Sequence, residues 1–282
     1  MRHPKVSQLK IQLNTDSLQL LSKPEELKTE RTRKFAPLFY NFPKQLQKKR
    51  PILSITQTNL DEKKDDLRTM KRGKLRFLRE VTIGITNKNF KIIRKENLSS
   101  VFMLKYFKSL RRVFINLSDC DFVSNRTLNE LKHALKDLKS LKFLKAEFAN
   151  CKEITDLGLM SFKQGFSSLN KMVSISFNFN ACTQISDSGL FILNQGFKKL
   201  TKLTNFSLNV GQLEDITNLS CNSLMVSFGS FSLLEKLNLD ISCCHEIRGT
   251  GLGYLGQGLL GLQGLKSLAL NLDSCSNVTQ EG

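Results

Sequence analysis

Tryptophan is absent from the 282 residues, histidine and tyrosine occur three times each, and all five prolines fall within the first 51 positions. No run of about 18 apolar residues exists, which argues against a membrane-spanning helix. Residues 1–14 lack the apolar stretch of a secretory leader and hold Arg2 as their one arginine, where a mitochondrial presequence carries several. His3, His133 and His245 have no evident Ser or Cys arrangement beside them. The phosphate-loop, kinase, H-E-x-x-H and G-x-S-x-G patterns are all missing. No residue set supports an enzyme, and no cofactor is expected.

Acidic residues are outnumbered by basic ones, but only in one half. Residues 1–150 hold 34 Lys+Arg against 15 Asp+Glu, whereas residues 151–282 hold 9 against 10. The net charge of +18 is therefore a property of the first half, and a basic partner-binding argument cannot extend to the second.

What is abundant is a repeat. Starting from Leu110 and stepping by 31, position 1 reads Leu110, Leu141, Met172, Leu203, Leu234 and Leu265. Positions 4, 6 and 8 are apolar in every unit, from Val113, Ile115 and Leu117 to Leu268, Leu270 and Leu272, which is the alternation of a half-buried strand. Positions 19, 22, 26 and 29 are spaced by three and four, as in Leu159, Phe162, Phe166 and Leu169, which marks one stripe of a helix of about three turns. Neither element can bury its face alone, so the units must stack. Between strand and helix, Asp156 and Asp187 fall where a helix N-cap is needed, and glycine recurs at positions 18 and 25 (Gly158, Gly189, Gly251; Gly165, Gly196, Gly258).

These units, with C-x-x-I-T/S-D-x-G-L at 151–159 and 182–190, resemble leucine-rich repeats of the long, helix-bearing kind seen in ribonuclease-inhibitor-like proteins. They also resemble the cysteine-containing repeats of F-box and related proteins, and 31-residue units are similar to those of ciliate protist arrays. The resemblance implies an α/β solenoid, a horseshoe with a concave parallel sheet and outer helices. It covers 110–282. A degenerate unit precedes it, with Leu78, Val81, Ile83 and Ile85 offset by 32, and Leu213 replaces Cys or Asn at position 11 of the fourth unit, which is expected to disturb that turn. The last unit stops at position 18, so a fragment or a chain that pairs at this end is expected. The chain thus divides into a basic, largely irregular and poorly ordered segment over 1–70 and an array over 71–282, with a degenerate unit at 78–109, regular units at 110–264 and a truncated unit at 265–282.

Five of the seven cysteines occupy position 11 and read as small buried packing residues. Zinc at Cys243-Cys244-His245 lacks a second ligand pair, and an odd number of cysteines in an intracellular context argues against disulfides. Gly251, Gly253 and Gly256 match G-x-G-x-x-G with Asp273 downstream, but Gly251 is simply the position-18 glycine.

Strand residues between the buried positions face the other side of the sheet. Position 7 there reads Asn116, Glu147, Asn178, Asn209, Asp240 and Asn271, and at about 4.8 Å between strands it forms either a self-satisfying amide ladder or a recognition surface. Arg111, Arg112, Phe114, Lys142, Phe143 and Lys145 add a basic, aromatic corner of the kind that anchors interfaces. The expected function is a non-enzymatic protein-binding scaffold or adaptor, with another protein as partner and no metal or membrane. Two alternatives stand beside it. One is an F-box-like ubiquitin-ligase substrate adaptor, although residues 1–77 show no F-box helices; the other is a nucleic-acid-associated protein using the basic half. The location is expected to be cytoplasmic, with nuclear import signalled by the clusters at 31–34 and 48–50. The aromatic segment 34–42 reads as a cap or a linear motif.

Overall fold

A computed structural model describes residues 108–278 and Leu104, together with the strands Gln8–Leu13 (β1), Ile52–Thr56 (β2) and Glu80–Gly84 (β3). Six further strands follow at the expected period: Arg112–Asn116 (β4), Phe143–Glu147 (β5), Ser174–Asn178 (β6), Asn205–Asn209 (β7), Lys236–Asp240 (β8) and Ser267–Leu272 (β9). Between them stand five helices: Asn125–Asp137 (α1), Asp156–Phe166 (α2), Asp187–Phe197 (α3), Asn218–Phe228 (α4) and Gly249–Leu260 (α5).

All strand pairs are parallel and form one nine-stranded sheet in the order β1-β9-β8-β7-β6-β5-β4-β3-β2. Register follows the repeat: Val113 pairs with Leu144, Leu144 with Ile175, and so on to Leu237 with Leu268. The degenerate unit joins in the same register, Val81 with Val113 and Ile83 with Ile115, which matches its offset of 32. The result is an α/β leucine-rich-repeat solenoid. Helices about 10 Å across stand beside strands about 4.8 Å apart, so the array curves with its sheet on the concave side.

The core lies between the two layers and is built from the predicted positions. Those of the strands and turns are buried from Leu110 to Cys275, apart from the half-buried Leu270, and the helical stripe is buried in α1 to α4, while Leu252 and Leu259 of α5 are only partly covered. Phenylalanines run through the middle units as a connected stack, with Phe162 edge-on to Phe177 at 4.7 Å, Phe166 against Phe197 at 5.7 Å and Phe197 edge-on to Phe206 at 5.0 Å. Such pairs add to simple burial.

Three expectations need correction or extension. Asp156 and Asp187 are not N-caps. The caps are Thr155, Ser186 and Thr217, extended residues whose hydroxyls accept from the N–H groups of Leu157, Ser188 and Leu219. The acids come one residue later and reach across to the next unit. Asp156 accepts from Ser186 N–H at 2.9 Å and from its hydroxyl at 2.6 Å, and Asp187 does the same for Thr217 at 2.9 and 2.6 Å. Asn125 and Asn218 make the equivalent backbone contact to Thr155 and Arg248. A second correction concerns Leu213, which is fully buried in a turn of the same shape as its neighbours, because position 11 asks only for an apolar filler. Finally, two strands, β1 and β2, fall within the segment 1–70. They are consecutive in sequence yet form opposite edges of the sheet, β1 pairing with β9 through Leu9 to Leu268, Ile11 to Leu270 and Leu13 to Leu272. The remainder of 1–70, including the aromatic segment and both basic clusters, lies outside the described residues, as does 279–282.

Each turn after β4 to β9 places a non-glycine residue in the left-handed region: Asp119, Asn150, Ala181, Gln212, Cys243 and Ser274, with φ of 57 to 59°. For L-residues this costs about 1–2 kcal/mol, and Asn or Asp bear it best. Alanine has no side-chain oxygen to compensate, so Ala181→Gly should raise stability by about 0.5–1 kcal/mol in urea unfolding, after allowance for glycine's greater unfolded-state entropy. Removing an inter-unit latch acts in the opposite direction. Asp187→Ala leaves the Thr217 N–H without its acceptor at the helix entry and should cost about 2–3 kcal/mol, whereas Asp187→Asn, which copies Asn125 and Asn218, should lose less than half of that.

Candidate functional site

The concave face presents the residues that alternate with the core. Burial along β4 and β5 runs half-buried, buried, half-buried, buried, half-buried, so Arg112, Phe114 and Asn116 share one face with Phe143, Lys145 and Glu147. Register sets them in pairs across adjacent strands: Arg112 beside Phe143, Phe114 beside Lys145, Asn116 beside Glu147. The Arg112 guanidinium lies over the Phe143 ring, 4.9 Å from its centre, and Lys145 Nζ is 2.6 Å from Glu147 Oε1. Arg111 is exposed at the strand entrance, where its carbonyl accepts the N–H groups of Lys142 and Phe143 at 2.9 and 3.0 Å. Four of the six corner residues thus lie on two neighbouring strands, with Arg111 and Lys142 immediately before them.

Position 7 behaves differently from a continuous ladder. In five of the six units its side-chain oxygen accepts the N–H two residues ahead: Asn116 from Ser118, Asn178 from Asn180, Asn209 from Gly211, Asp240 from Ser242 and Asn271 from Asp273, at 2.9–3.1 Å. These side chains close the turn that leads into the left-handed residue. One rung runs across strands, from Asn209 Nδ2 to Asp240 Oδ2 at 3.3 Å. Asn116, Asn178, Asn209, Asp240 and Asn271 therefore have a structural task, whereas Glu147 instead pairs with Lys145.

The cysteines form a ladder of their own. Cys151, Cys182, Cys244 and Cys275 donate their thiols to the carbonyls of Leu117, Phe148, Val210 and Ile241 in the preceding unit, at 3.0–3.3 Å. Burial pushes Cys120 and Cys182 up to about 11 and Cys151, Cys221 and Cys244 up to about 12. Cys244 points inward while the ring of His245 sits on the surface against Ser276, so the two do not converge. Among the described residues no group of three His, Cys, Asp or Glu side chains is placed to hold a metal, and no helix is long and apolar enough to cross a membrane. Gly251, Gly253 and Gly256 lie inside α5 and not in a loop before it. A side chain at Gly251 would strike Asn218 Oδ1 at 2.5 Å, so this glycine makes room for the latch; nothing stands near the other two.

No protein-family model matches this chain, and no curated protein matches it. Among solved structures it is similar to a tropomodulin C-terminal domain from Caenorhabditis elegans, at 14% identity over 58% of this chain and 92% of that one, with a TM-score of 0.42. It is also similar to the actin-binding site 2 of leiomodin-1 (16% identity, 60% and 90% covered, TM-score 0.39) and to the yeast Rad7 and Elc1 complex (17% identity, 74% and 60% covered, TM-score 0.36).

The thiol ladder gives a direct chemical readout. At pH 8 a thiol reagent should label Cys243, the one half-buried cysteine, and reach the other six only as the array unfolds. A folded pKa above the ordinary thiol value of 9.0 favours the neutral form, so this contribution is complete below pH 9 and is lost as pH rises through 11 to 12. Melting temperature should accordingly fall across that alkaline window.

Proposed function

We propose that this chain is a non-enzymatic protein-binding scaffold or adaptor that captures its partner on the concave sheet face, with the β4–β5 corner as the anchor. One observation carries the reading: Arg112 and Phe143 are stacked on adjacent strands of a hydrogen-bonded sheet, so a cationic and aromatic anchor is held in place before any partner arrives. Pre-organised aromatic and arginine side chains lose little freedom on binding and dominate interface energies. Arg111, Lys142 and Lys145 stand around them with Glu147 as the sole acid of the group, which favours an acidic partner segment carrying an apolar side chain. Asn178, Asn209, Asp240 and Asn271 extend the polar surface along the sheet.

The repeat itself we assign to the cysteine-containing 31-residue type, on the strength of the thiol-to-carbonyl ladder at position 11. The segment 1–70 is proposed to be a basic, largely irregular lead-in that joins the array only through β1 and β2, and the chain to work in the cytoplasm, with nuclear entry through its basic clusters.

The test is capture of a partner from cell extract with the full chain, followed by the variant Arg112→Ala/Phe114→Ala/Phe143→Ala. All three residues are only half-buried, so circular dichroism and the melting curve should stay close to wild type. Capture should fall at least tenfold, since hot-spot truncations cost about 2 kcal/mol or more each. Unchanged capture by a folded variant would remove the corner from the interface.

A further inference from the structure

Residues 6–13 read V-S-Q-L-K-I-Q-L, with Val6, Leu9, Ile11 and Leu13 at the spacing of positions 1, 4, 6 and 8 of the repeat. The unit of β9 has the same pattern in Leu265, Leu268, Leu270 and Leu272. All six residues of β1 pair with β9, and they do so in the register of the β8–β9 junction: Leu9 stands opposite Leu268 as Leu237 does, and Ile11 opposite Leu270 as Leu239 does. The first strand of the chain therefore stands where the strand of a further unit would. Strand β2, at the other edge, is a poorer copy. Its register puts Leu53 and Ile55 at positions 4 and 6, but Arg50 and Gln57 fall at positions 1 and 8.

Backbone parity fixes which groups meet at this junction. Ser267 N–H donates to Glu235 O and Asn271 O accepts from Ile241 N–H, so residues 267, 269 and 271 turn their polar groups to β8. Leu268, Leu270 and Leu272 then turn theirs outward to β1, where Gln8, Lys10 and Gln12 face them. Two features make the junction exchangeable. β1 is held by one ladder, whereas β3 to β9 each have two, and β9 is less covered than its neighbour: Leu268 is 8% exposed against 2% for Leu237. The second feature is reach. β2 lies eight strand steps from β1, roughly 40 Å away. The 38 residues from 14 to 51 can extend to about 125 Å, enough for β1 to lie on a neighbour's β9 while β2 stays on its own array.

We propose that the outer edge of β9 is a docking site for a parallel strand, filled in the monomer by the chain's own β1 and in an exchanged dimer by β1 of a second copy. A second copy is the occupant because β1 is the segment whose alternation and register match this edge, and every copy brings one. Reciprocal exchange keeps both edges paired, so two copies give up no ladder in making it. While β1 is in place it also shields the edge from other strands, since an uncovered edge is a template for pairing. This site is independent of the concave corner on β4 and β5.

The probe is a fluorescein-labelled peptide of residues 5–15. The full chain carrying Leu9→Asp/Ile11→Asp loses the apolar pattern of its own β1 and should bind the peptide saturably. Wild type should bind it at least tenfold more weakly, because a tethered strand competes at high effective concentration. Lys10→Pro, which removes one N–H facing β9 and keeps the apolar pattern, should behave like the double variant. Methylating the peptide's Lys10 nitrogen should weaken binding at least tenfold, whereas methylating its Ile11 nitrogen, which points away from β9, should change affinity less than about twofold. Wild type refolded from urea at high concentration should contain a dimer by light scattering, and either variant treated in the same way should be monomeric. Circular dichroism confirms that the variants are folded. Failure of both folded variants to bind, or equal loss with the two methylated peptides, would overturn the edge site. Wild type binding as tightly as the variants would overturn its occupation by β1. Monomer alone after refolding of wild type, or a dimer in the variants as well, would overturn the second copy as occupant.

Discussion

Each unit of this array is completed by the next. The strand edge, the carbonyl at position 8 and the backbone amide at the helix entry all find their partners one repeat away. Leu117 N–H donates to Glu147 O, Cys151 Sγ to Leu117 O, and Thr155 N–H to Asn125 Oδ1. A buried polar group left unpaired costs more than a pair gains, so a unit that slipped by one residue would forfeit all three contacts at once. That constraint helps to hold the period at 31 without insertion, and it explains why position 16 is Asn or Asp in the first four regular units (Asn125, Asp156, Asp187 and Asn218), giving way to Gly249 in the fifth. Stability in such an array is a sum of unit and junction terms, and the latch supplies a polar part of each junction.

The period, the strand alternation and the helical stripe were all legible in the sequence because burial repeats faithfully. Position 14, for example, reads Val123, Ile154, Ile185, Ile216 and Ile247, all buried, before the partly buried Val278. What escaped was one residue of phase and one kind of partner. Asp156 looks like an N-cap because Asp is a good one, but Thr155 is as good and comes first; the acid is then free to serve the next repeat, a contact across 30 residues that local pattern cannot display. Position 11 was read as a packing site, yet Leu213 was expected to disturb its turn. The turn is set instead by the left-handed residue just before it, Gln212, so any apolar filler fits. Strands β1 and β2 carry the right alternation, Leu9-Lys10-Ile11-Gln12-Leu13 and Ile52-Leu53-Ser54-Ile55, but they lie outside the 31-residue frame, and only the register reveals their places.

The candidate corner was legible for the same reason as the core. Strand parity fixes which face a residue occupies, and the fixed register fixes its cross-strand neighbour, so Arg112 beside Phe143 follows from a step of 31 alone. The turn-closing role of position 7 was not, since an asparagine column is compatible with bonds along the sheet or along the chain. The chain direction wins because a left-handed residue follows three positions later and an Asx-type bond pre-forms that turn.

A repeat array also indicates where it departs from its own rule. Buried columns are held by packing, so change within them is mostly conservative, as in Leu, Ile and Phe at position 4. Exposed columns carry no such restraint, and the deviations that matter are those that cost stability locally. Arg112 and Phe143 occupy a position that is Ser174, Asn205, Lys236 or Ser267 elsewhere, and only here does a cation stand beside an aromatic ring. Ser220 and Ser227 replace glycines that let neighbouring helices touch, and with them goes close packing between α3 and α4. Both departures leave the inter-unit latches intact: Asp187 still holds Thr217, and Asn218 still holds Arg248. The scaffold can therefore vary one face of a unit without losing the junction that keeps the next unit in place.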